Sequence, residues 1–321
     1  MASSGLAWFG AGRFPLYLAP MAGHTDTAFR ALCKEYGADV LVTEFVQAVP
    51  LVRDVARTWH TIEFHDAQRP VGVQIFGATP DLMARAAQLL EERLHPDFID
   101  INFGCPAHKV VEQNAGAGLL RTPALLQEIA RAVVRAVPFT PVTAKMRLGW
   151  DASSIVTVDA ARWLEDAGVR AIAIHGRTRA QGYSGEADWL EIARAAAAVS
   201  VPVVGNGDIR DAATALLRQR ESGVAGLMIG RAALGNPWLF SEIKAALRNT
   251  LPPAPPTDTE RMDTLMRYAR ILAAEAAPPR PDGDVRWMLP RLFPLTQQIP
   301  GARKLRARLS ACHTLDDILS L

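Results

Sequence analysis

Apolar residues along this chain fall into eight short runs. They are "LYLAPM" (16–21), "DVLVTEF" (39–45), "VGVQIF" (71–76), "FIDINFG" (98–104), "VTAKMR" (142–147), "AIAIHG" (171–176), "VPVVGNG" (201–207) and "GLMIG" (226–230). Each is rich in β-branched or other apolar side chains and ends in turn or polar residues, the pattern of buried parallel strands. The segments between them read as amphipathic helices with explicit starts. "TPDLMARAAQLLEERL" and "TPALLQEIARAVVRAV" open with Thr at the N-cap and Pro at the first helical position, and "NPWLFSEIKAAL" uses Asn236 and Pro237 the same way. In "TDTAFRALCKEYGAD", Phe29, Leu32, Cys33 and Tyr36 share one face and Gly37 stops the helix, which makes Cys33 a core residue.

Eight strands alternating with helices over about 240 residues predict an α/β fold of the (β/α)₈ (TIM) barrel type. The competing doubly wound sheet lacks its nucleotide fingerprint. "GAGLLR" (116–121) carries Arg121 where the third glycine belongs, and it does not directly follow a strand. After Asn249, the prolines of "TLPPAPPTDTE" predict a stiff extended linker. Beyond it, "TERMDTLMRYARILAAEA" and "GARKLRARLSACHTLDDILSL" read as helical. The expected organisation is a barrel over residues 1–248, a linker over 249–258 and a small helical domain over 259–321.

Composition narrows the setting. Apolar residues make up 49% of the chain and charged residues 21%, as in a globular protein, with no apolar run long enough to span a membrane. The N-terminal "MASSGLAWFGAGRFPLYLAPM" lacks a basic leader followed by a long apolar core, so no signal peptide is expected. The three cysteines, Cys33, Cys105 and Cys312, lie far apart with no CxxC pair. That argues against a metal site or a disulfide framework and for a reducing, cytoplasmic setting. Cys312 is read as a packing residue. Net charge is only +2, but from Val285 to Leu315 there is no Asp or Glu, while Arg286, Arg291, Arg303, Lys304, Arg306 and Arg308 are positive. Such a run is either a solvated face or the footprint of a polyanion binder.

Catalytic groups in this fold lie at the C-terminal ends of the strands. Those ends carry Pro20-Met21-Ala22, Thr43-Glu44, Gln74, Asn102 with Cys105, Lys145 with Arg147, His175 with Arg177, Asn206-Gly207-Asp208, and Gly230-Arg231. A single polar residue there is ordinarily structural. A full ring of them converges on one mouth. Gly207 and Gly230 let backbone N–H groups approach an anion, and Arg231 adds a donor fork, so a phosphate is expected after the last two strands. Gln74 can pair with a pyrimidine-like ring edge, and Lys145 can stabilise negative charge on a reduced flavin. Flavin mononucleotide (FMN) suits this set better than pyridoxal phosphate, for which Lys145 could also supply the Schiff base.

The segments "LAPMAGHTDTAFR", "VQIFG", "DINFGCPAHKVV", "KMRLGW", "IHGRTRAQGYSGEADW", "VVGNGDI" and "LMIGRAALGNPWLF" follow one another in this order. Together they make the chain resemble the bacterial tRNA-dihydrouridine synthases, above all their DusB-like branch, over residues 14–245. The resemblance implies an FMN-bound barrel with a helical domain that uses NADPH to reduce a uracil in tRNA. On the matching positions it implies that Pro20, Met21 and Ala22 line the flavin, that Gln74 and Lys145 contact its ring, and that His175 lies beside it. Asn206, Gly207, Asp208, Gly230 and Arg231 would surround its phosphate. Cys105 matches the proton donor, and Asn102, Arg147 and Arg177 would face the flipped uracil.

On this reading Cys105 has a chemical purpose. Hydride addition at carbon 6 leaves enolate-like charge, which a proton at carbon 5 quenches. A thiol of ordinary pKa, about 8.5, is mostly protonated at neutral pH and can act as the general acid. The turn "GCPAHKVV" would hold it at the mouth, before a loop able to close over substrate. Packing is the rival reading, since free cysteine is among the most buried residue types. A uridine stacked in folded tRNA must be extruded to reach such a site, at a cost met by contacts to backbone and shape. Lys109 and the acid-free segment, with Arg303, Lys304, Arg306 and Arg308 near its end, are the expected phosphate contacts. An FMN barrel acting on a free pyrimidine, of the dihydroorotate dehydrogenase kind, would not need a basic helical appendage. A flavin- or RNA-binding regulator without turnover would not need Cys105, Lys145 and His175 together.

Overall fold

The computed structural model describes residues 5–275 and 284–321. The first four residues of the N-terminal stretch read above, and Ala276 at the end of "TERMDTLMRYARILAAEA", lie outside the described residues. The strands are β1 (Leu16–Leu18), β2 (Val40–Val42), β3 (Val46–Gln47), β4 (Val71–Phe76), β5 (Phe98–Phe103), β6 (Val142–Arg147), β7 (Ile172–His175), β8 (Val203–Asn206) and β9 (Gly226–Ile229). All pair in parallel, and β1 bonds to both β2 and β9, which closes the sheet. Val42 pairs with Gly72 and Val46 with Ile75, so β2 and the short β3 lie in succession along β4 and share one of eight positions round the barrel. The fold is a (β/α)₈ barrel with helices at its C-terminus, as the alternation of runs predicts.

Alternate residues of each strand point into the barrel. At its N-terminal end those positions are apolar: Tyr17, Val40, Val42, Phe98, Ala171, Ala173, Val204 and Met228 form one buried cluster with Leu6. The turn Ala7–Phe9 closes this floor, with the Trp8 ring 5.5 Å from Phe98 and Trp8 Nε1 donating to the Tyr17 hydroxyl at 2.5 Å. Gly72 makes room for the Phe98 ring, which would stand 2.1 Å from a Cβ at that position. Toward the other end the inward positions turn polar, and this change of character positions the site.

Helix termini follow local chemistry, with corrections. Asp26 caps the helix Thr27–Glu35 by accepting the Phe29 N–H at 2.9 Å, and Gly37 beyond its end has φ +105°. Pro80–Arg93 and Pro123–Ala136 begin after Thr79 and Thr122, but neither hydroxyl caps its helix; that of Thr122 donates to Leu119 O at 3.4 Å. Asn236 is not an N-cap. It closes the short helix Arg231–Gly235, and the next helix, Leu239–Leu247, starts from Trp238.

Residues 251–257 have no regular secondary structure. A capping box of Thr257 and Glu260 then starts the helix Asp258–Ala274, followed by Leu289–Leu295, Ala302–Ser310 and Leu315–Leu319. The last predicted helical run is therefore two helices, divided where the Thr314 side chain accepts the Asp317 N–H. These helices share the barrel's hydrophobic core. Tyr268 packs 5.8 Å from Phe29, and Asp26 receives the Tyr268 hydroxyl at 3.2 Å and Arg291 Nε at 2.8 Å. Arg286 is likewise held by Asp284 at 2.9 Å, so two of the six cations of the acid-free run are paired with acids of the chain. Cys33 and Cys312 are buried.

Candidate active site

A cavity of about 970 Å³ opens at the C-terminal end of the barrel. Its wall carries Pro20, Met21 and Ala22 after β1, Gln74 from β4, and Asn102 and Cys105 from the end of β5. Lys145 and Arg147 enter from β6 and His175 from β7, while Asn206, Gly207 and Asp208 follow β8 and Gly230 and Arg231 follow β9. Seven of the eight predicted strand ends thus meet at one mouth; Thr43 and Glu44, the pair expected from the second run, are not in its wall.

A chain of hydrogen bonds fixes the β4–β6 side. Asp100 accepts Thr143 Oγ1 at 2.5 Å and Gln74 Nε2 at 2.6 Å. Gln74 Oε1 accepts Asn102 Nδ2 at 2.8 Å, and Asn102 Oδ1 accepts the N–H groups of Gly104 at 3.0 Å and Cys105 at 2.8 Å. Asp100, Thr143, Gln74 and Asn102 are all buried, so the loss of any one would strand a partner. The side-chain orientation of Gln74 and the turn bearing Cys105 are therefore set together.

Electrostatics assigns protonation states. Burial raises the Cys105 thiol above its ordinary value, outweighing the Ala107 N–H and the charges of Arg147 and Lys145, so it is protonated at neutral pH. Burial and Arg147 lower Lys145 to about 8. Among the described residues its Nζ has one hydrogen bond, 3.4 Å from Asn206 Oδ1, although an ammonium carries three donors. Burial, then Lys145, Arg147, Arg177 and Arg231, lower His175 to about 2, which keeps its ring neutral. Arg177 can only donate, so its Nη1, 3.4 Å from His175 Nε2, assigns the lone pair to Nε2 and the proton to Nδ1.

Arg177 differs from expectation. It is 2% exposed and does not line the cavity. Its donors go to Ser184 O at 3.1 Å, Gly185 O at 2.5 Å and Asp208 Oδ2 at 2.7 Å, because a buried guanidinium must be paired. Burial alone would raise the Asp208 carboxyl, but the bonds from Arg177 and the Ala187 N–H outweigh it and hold it below the usual range. Arg147 does line the cavity, yet it also clamps the neighbouring loops by donating to Gly104 O, Thr178 O and Gly182 O at 3.0, 2.8 and 2.9 Å. Lys109 sits exposed on the turn His108–Val111 and is not part of the wall. Arg303, Lys304 and Arg308 are exposed on the helix Ala302–Ser310, whereas Arg306 donates to Thr296 Oγ1 at 3.2 Å.

Sequence reading missed several participants. Asp100 and Thr143 stand two residues before Asn102 and Lys145, so strand alternation alone put them on the same inward face. Tyr183 lines the cavity with 59% exposure, its ring 4.4 Å from the Arg231 guanidinium. Gln297 reaches the wall from the C-terminal helices, a tertiary contact with no local signal.

The barrel and its mouth, with a protonated thiol, a depressed lysine and a neutral histidine around one space, define a TIM-barrel enzyme. The family model "Dihydrouridine synthase (Dus)" matches residues 17–320. The chain belongs to the dihydrouridine synthase family and is an oxidoreductase of its bacterial DusB-like kind. It is 42% identical over 311 residues to the tRNA-dihydrouridine synthase B of Pseudomonas aeruginosa, covering 94% of this chain and 89% of that one. It is 38% identical over 318 residues to a probable tRNA-dihydrouridine synthase of Mycobacterium tuberculosis, covering 95% of this chain and 80% of the other. Among solved structures, the old yellow enzyme from Trypanosoma cruzi superposes with a TM-score of 0.52 at 12% identity, over 77% of this chain and 92% of that one, a likeness of fold.

Proposed function

We propose that this protein is an FMN-dependent tRNA-dihydrouridine synthase that uses NADPH to reduce the 5,6 double bond of a uridine in tRNA. The observation that carries this reading is that Cys105 and Lys145 line one cavity, the first protonated and the second short of acceptors. The residues present fit the flavin. Among the described residues Lys145 Nζ makes a single hydrogen bond, to Asn206, and Gly207 must stay bare backbone, since it has φ +133° and a Cβ there would stand 2.6 Å from Ala187. Gly207 and Gly230, through backbone N–H groups, and Arg231 would hold the phosphate with Asn206 and Asp208 beside them, Gln74 and Lys145 the ring edge, and Pro20, Met21 and Ala22 the ring face, next to His175. Bound there, FMN would supply the electron pair of NADPH as hydride to carbon 6 of the base.

The chain's own groups supply the rest. Cys105 Sγ holds the proton destined for carbon 5, and solvent returns one to the thiolate, so each turnover adds one hydride and one proton. Asn102 and Arg147 orient the base, while Arg177 acts indirectly by fixing Asp208 and His175. The uridine must leave the tRNA stack to reach them. Residues 259–321, reached through the 249–258 linker from the 1–248 barrel, form the tRNA-binding domain, with Arg303, Lys304 and Arg308 as phosphate contacts in the cytoplasm. The test is to map dihydrouridine in tRNA from cells with and without this gene. Loss of the base at a defined position supports the reading; an unchanged map overturns it. Denatured protein should release FMN, and recovery of an adenine-containing flavin would contradict the cofactor assignment.

A further inference from the structure

One cationic feature of the barrel rim lies outside the cavity. The Arg121 guanidinium sits 3.8 Å from the Trp150 ring centroid, and that of Arg179 sits 4.4 Å from the same ring. Among the described residues neither arginine has an ion pair or a side-chain hydrogen bond, and Arg179 Nε is buried with no partner at all. Two acids on the same loops have other partners. Asp151 accepts Ser153 and Ser154 hydroxyls at 2.7 and 2.8 Å, and Glu112 pairs with His108 at 3.1 Å. Stacking on an indole is itself favourable and holds a guanidinium in a fixed plane. Two cations fixed in this way, with donors unused, are prepared for an anion.

Their place in the fold says which anion. Arg121 follows β5, Trp150 follows β6 and Arg179 follows β7, and the loops are tied by Arg179 N–H to Gly149 O at 2.9 Å and Ala180 N–H to Trp150 O at 2.8 Å. The C-terminal helices meet the barrel beside β1 and β9, through Arg291 on Asp26 and Gln297 against Gly235. In the closed order of strands, β5–β7 face β9–β1 across the mouth. A polyanion entering the cavity from the exposed Arg303, Lys304 and Arg308 would therefore meet a second pair of cations on the far bank.

We propose that the Arg121–Trp150–Arg179 stack is an RNA-backbone clamp on the rim opposite the C-terminal helices. The clamp rests on the reading above that the substrate is an RNA, and it adds a second grip that keeps the strand taut across the mouth while one base is extruded. Phosphate contacts of this kind position the ligand without reading sequence.

The experiment compares full-length wild type, Arg121→Gln and Arg179→Gln for binding of unmodified tRNA at several salt concentrations, with melting temperature and flavin content as folding checks. Arg121 is exposed, so its substitution tests the clamp even where Arg179→Gln fails to fold. Each lost contact should flatten the slope of log affinity against log salt by about 0.7–0.9 and weaken binding at low salt. Slopes parallel to wild type with equal affinity would overturn the clamp while leaving tRNA as substrate. Failure of wild type itself to bind tRNA would overturn the functional reading and the clamp with it, and the wild-type measurement alone identifies that case.

Discussion

Asn102 accepts the backbone N–H of Cys105 at 2.8 Å, so a strand residue dictates where the thiol stands. The same amide is anchored in turn by Gln74 and, through it, by Asp100. The position of Cys105 is thus set through its backbone, while Sγ, which accepts the Ala107 N–H, stands in the wall of the cavity.

Replacing the thiol should therefore cost chemistry and little else. Cys105→Ala leaves the Asn102 bond intact, since that bond uses main chain, and should bind tRNA as wild type does. Dihydrouridine formation in single-turnover assays should fall by about 10²–10⁴, the usual contribution of a positioned general acid. Wild-type rates in this variant would return Cys105 to a packing role.

Lys145 gives a prediction about stability and pH. Its ammonium is lowered to about 8 in the folded chain, against about 10.4 for a free lysine. Between those values the unfolded state binds more protons, so in the cofactor-free protein this group makes stability rise with pH, and its full penalty applies below about 8. Lys145→Met should accordingly be more stable than wild type near neutral pH, by on the order of a few kcal/mol. The advantage should shrink as pH climbs toward about 10. Urea titrations of both apo-proteins across that range check the sign; a gap that widens with pH would refute the assignment.

Much of this was legible in the chain and some of it was not, for physical reasons. Strands buried on both faces announce themselves as unbroken apolar runs, so all eight positions of the barrel could be counted. Their polar ends marked the mouth. Arg177 was misread because a strand-end arginine looks the same whether it points into a cavity or behind its wall, and only the position of Asp208 decides. Asp100 was legible through its spacing from Asn102 but sits inside an apolar run. Gln297 and the partners of Arg286, Arg291 and Arg306 depend on chain folding back over long separations, which no local pattern encodes.

The floor of the barrel offers a test of packing. A methyl group at position 72 would stand 2.1 Å from Phe98 Cε2, and the ring is fully enclosed by Trp8, Tyr17 and their neighbours. Gly72→Ala should therefore destabilise the protein by about 1–3 kcal/mol or more, the cost of overpacking a dense core. Adding Phe98→Leu should recover part of the loss by removing ring atoms at the point of conflict. Thermal unfolding of the single and double variants reads this coupling, and simple additivity of two losses would count against it.

The C-terminal helix Ala302–Ser310 carries the last prediction. Lys304 and Arg308 stand one helical turn apart, with Arg303 adjacent, and all three are exposed. Arg306 is excluded because its Nη1 is bonded to Thr296 Oγ1, so removing it would disturb packing between helices as well as charge. Changing Arg303, Lys304 and Arg308 together to Gln should weaken tRNA binding while leaving the melting temperature close to wild type. If each side chain meets a phosphate, the three losses should flatten the salt dependence by about 2–3 in total, from about 0.7–0.9 apiece. A merely solvated helix surface would instead respond with about 0.5 kcal/mol or less of stability and no change in slope. Affinity measured at four or more salt concentrations separates the two outcomes, and coincident lines would leave tRNA recognition to the barrel rim alone.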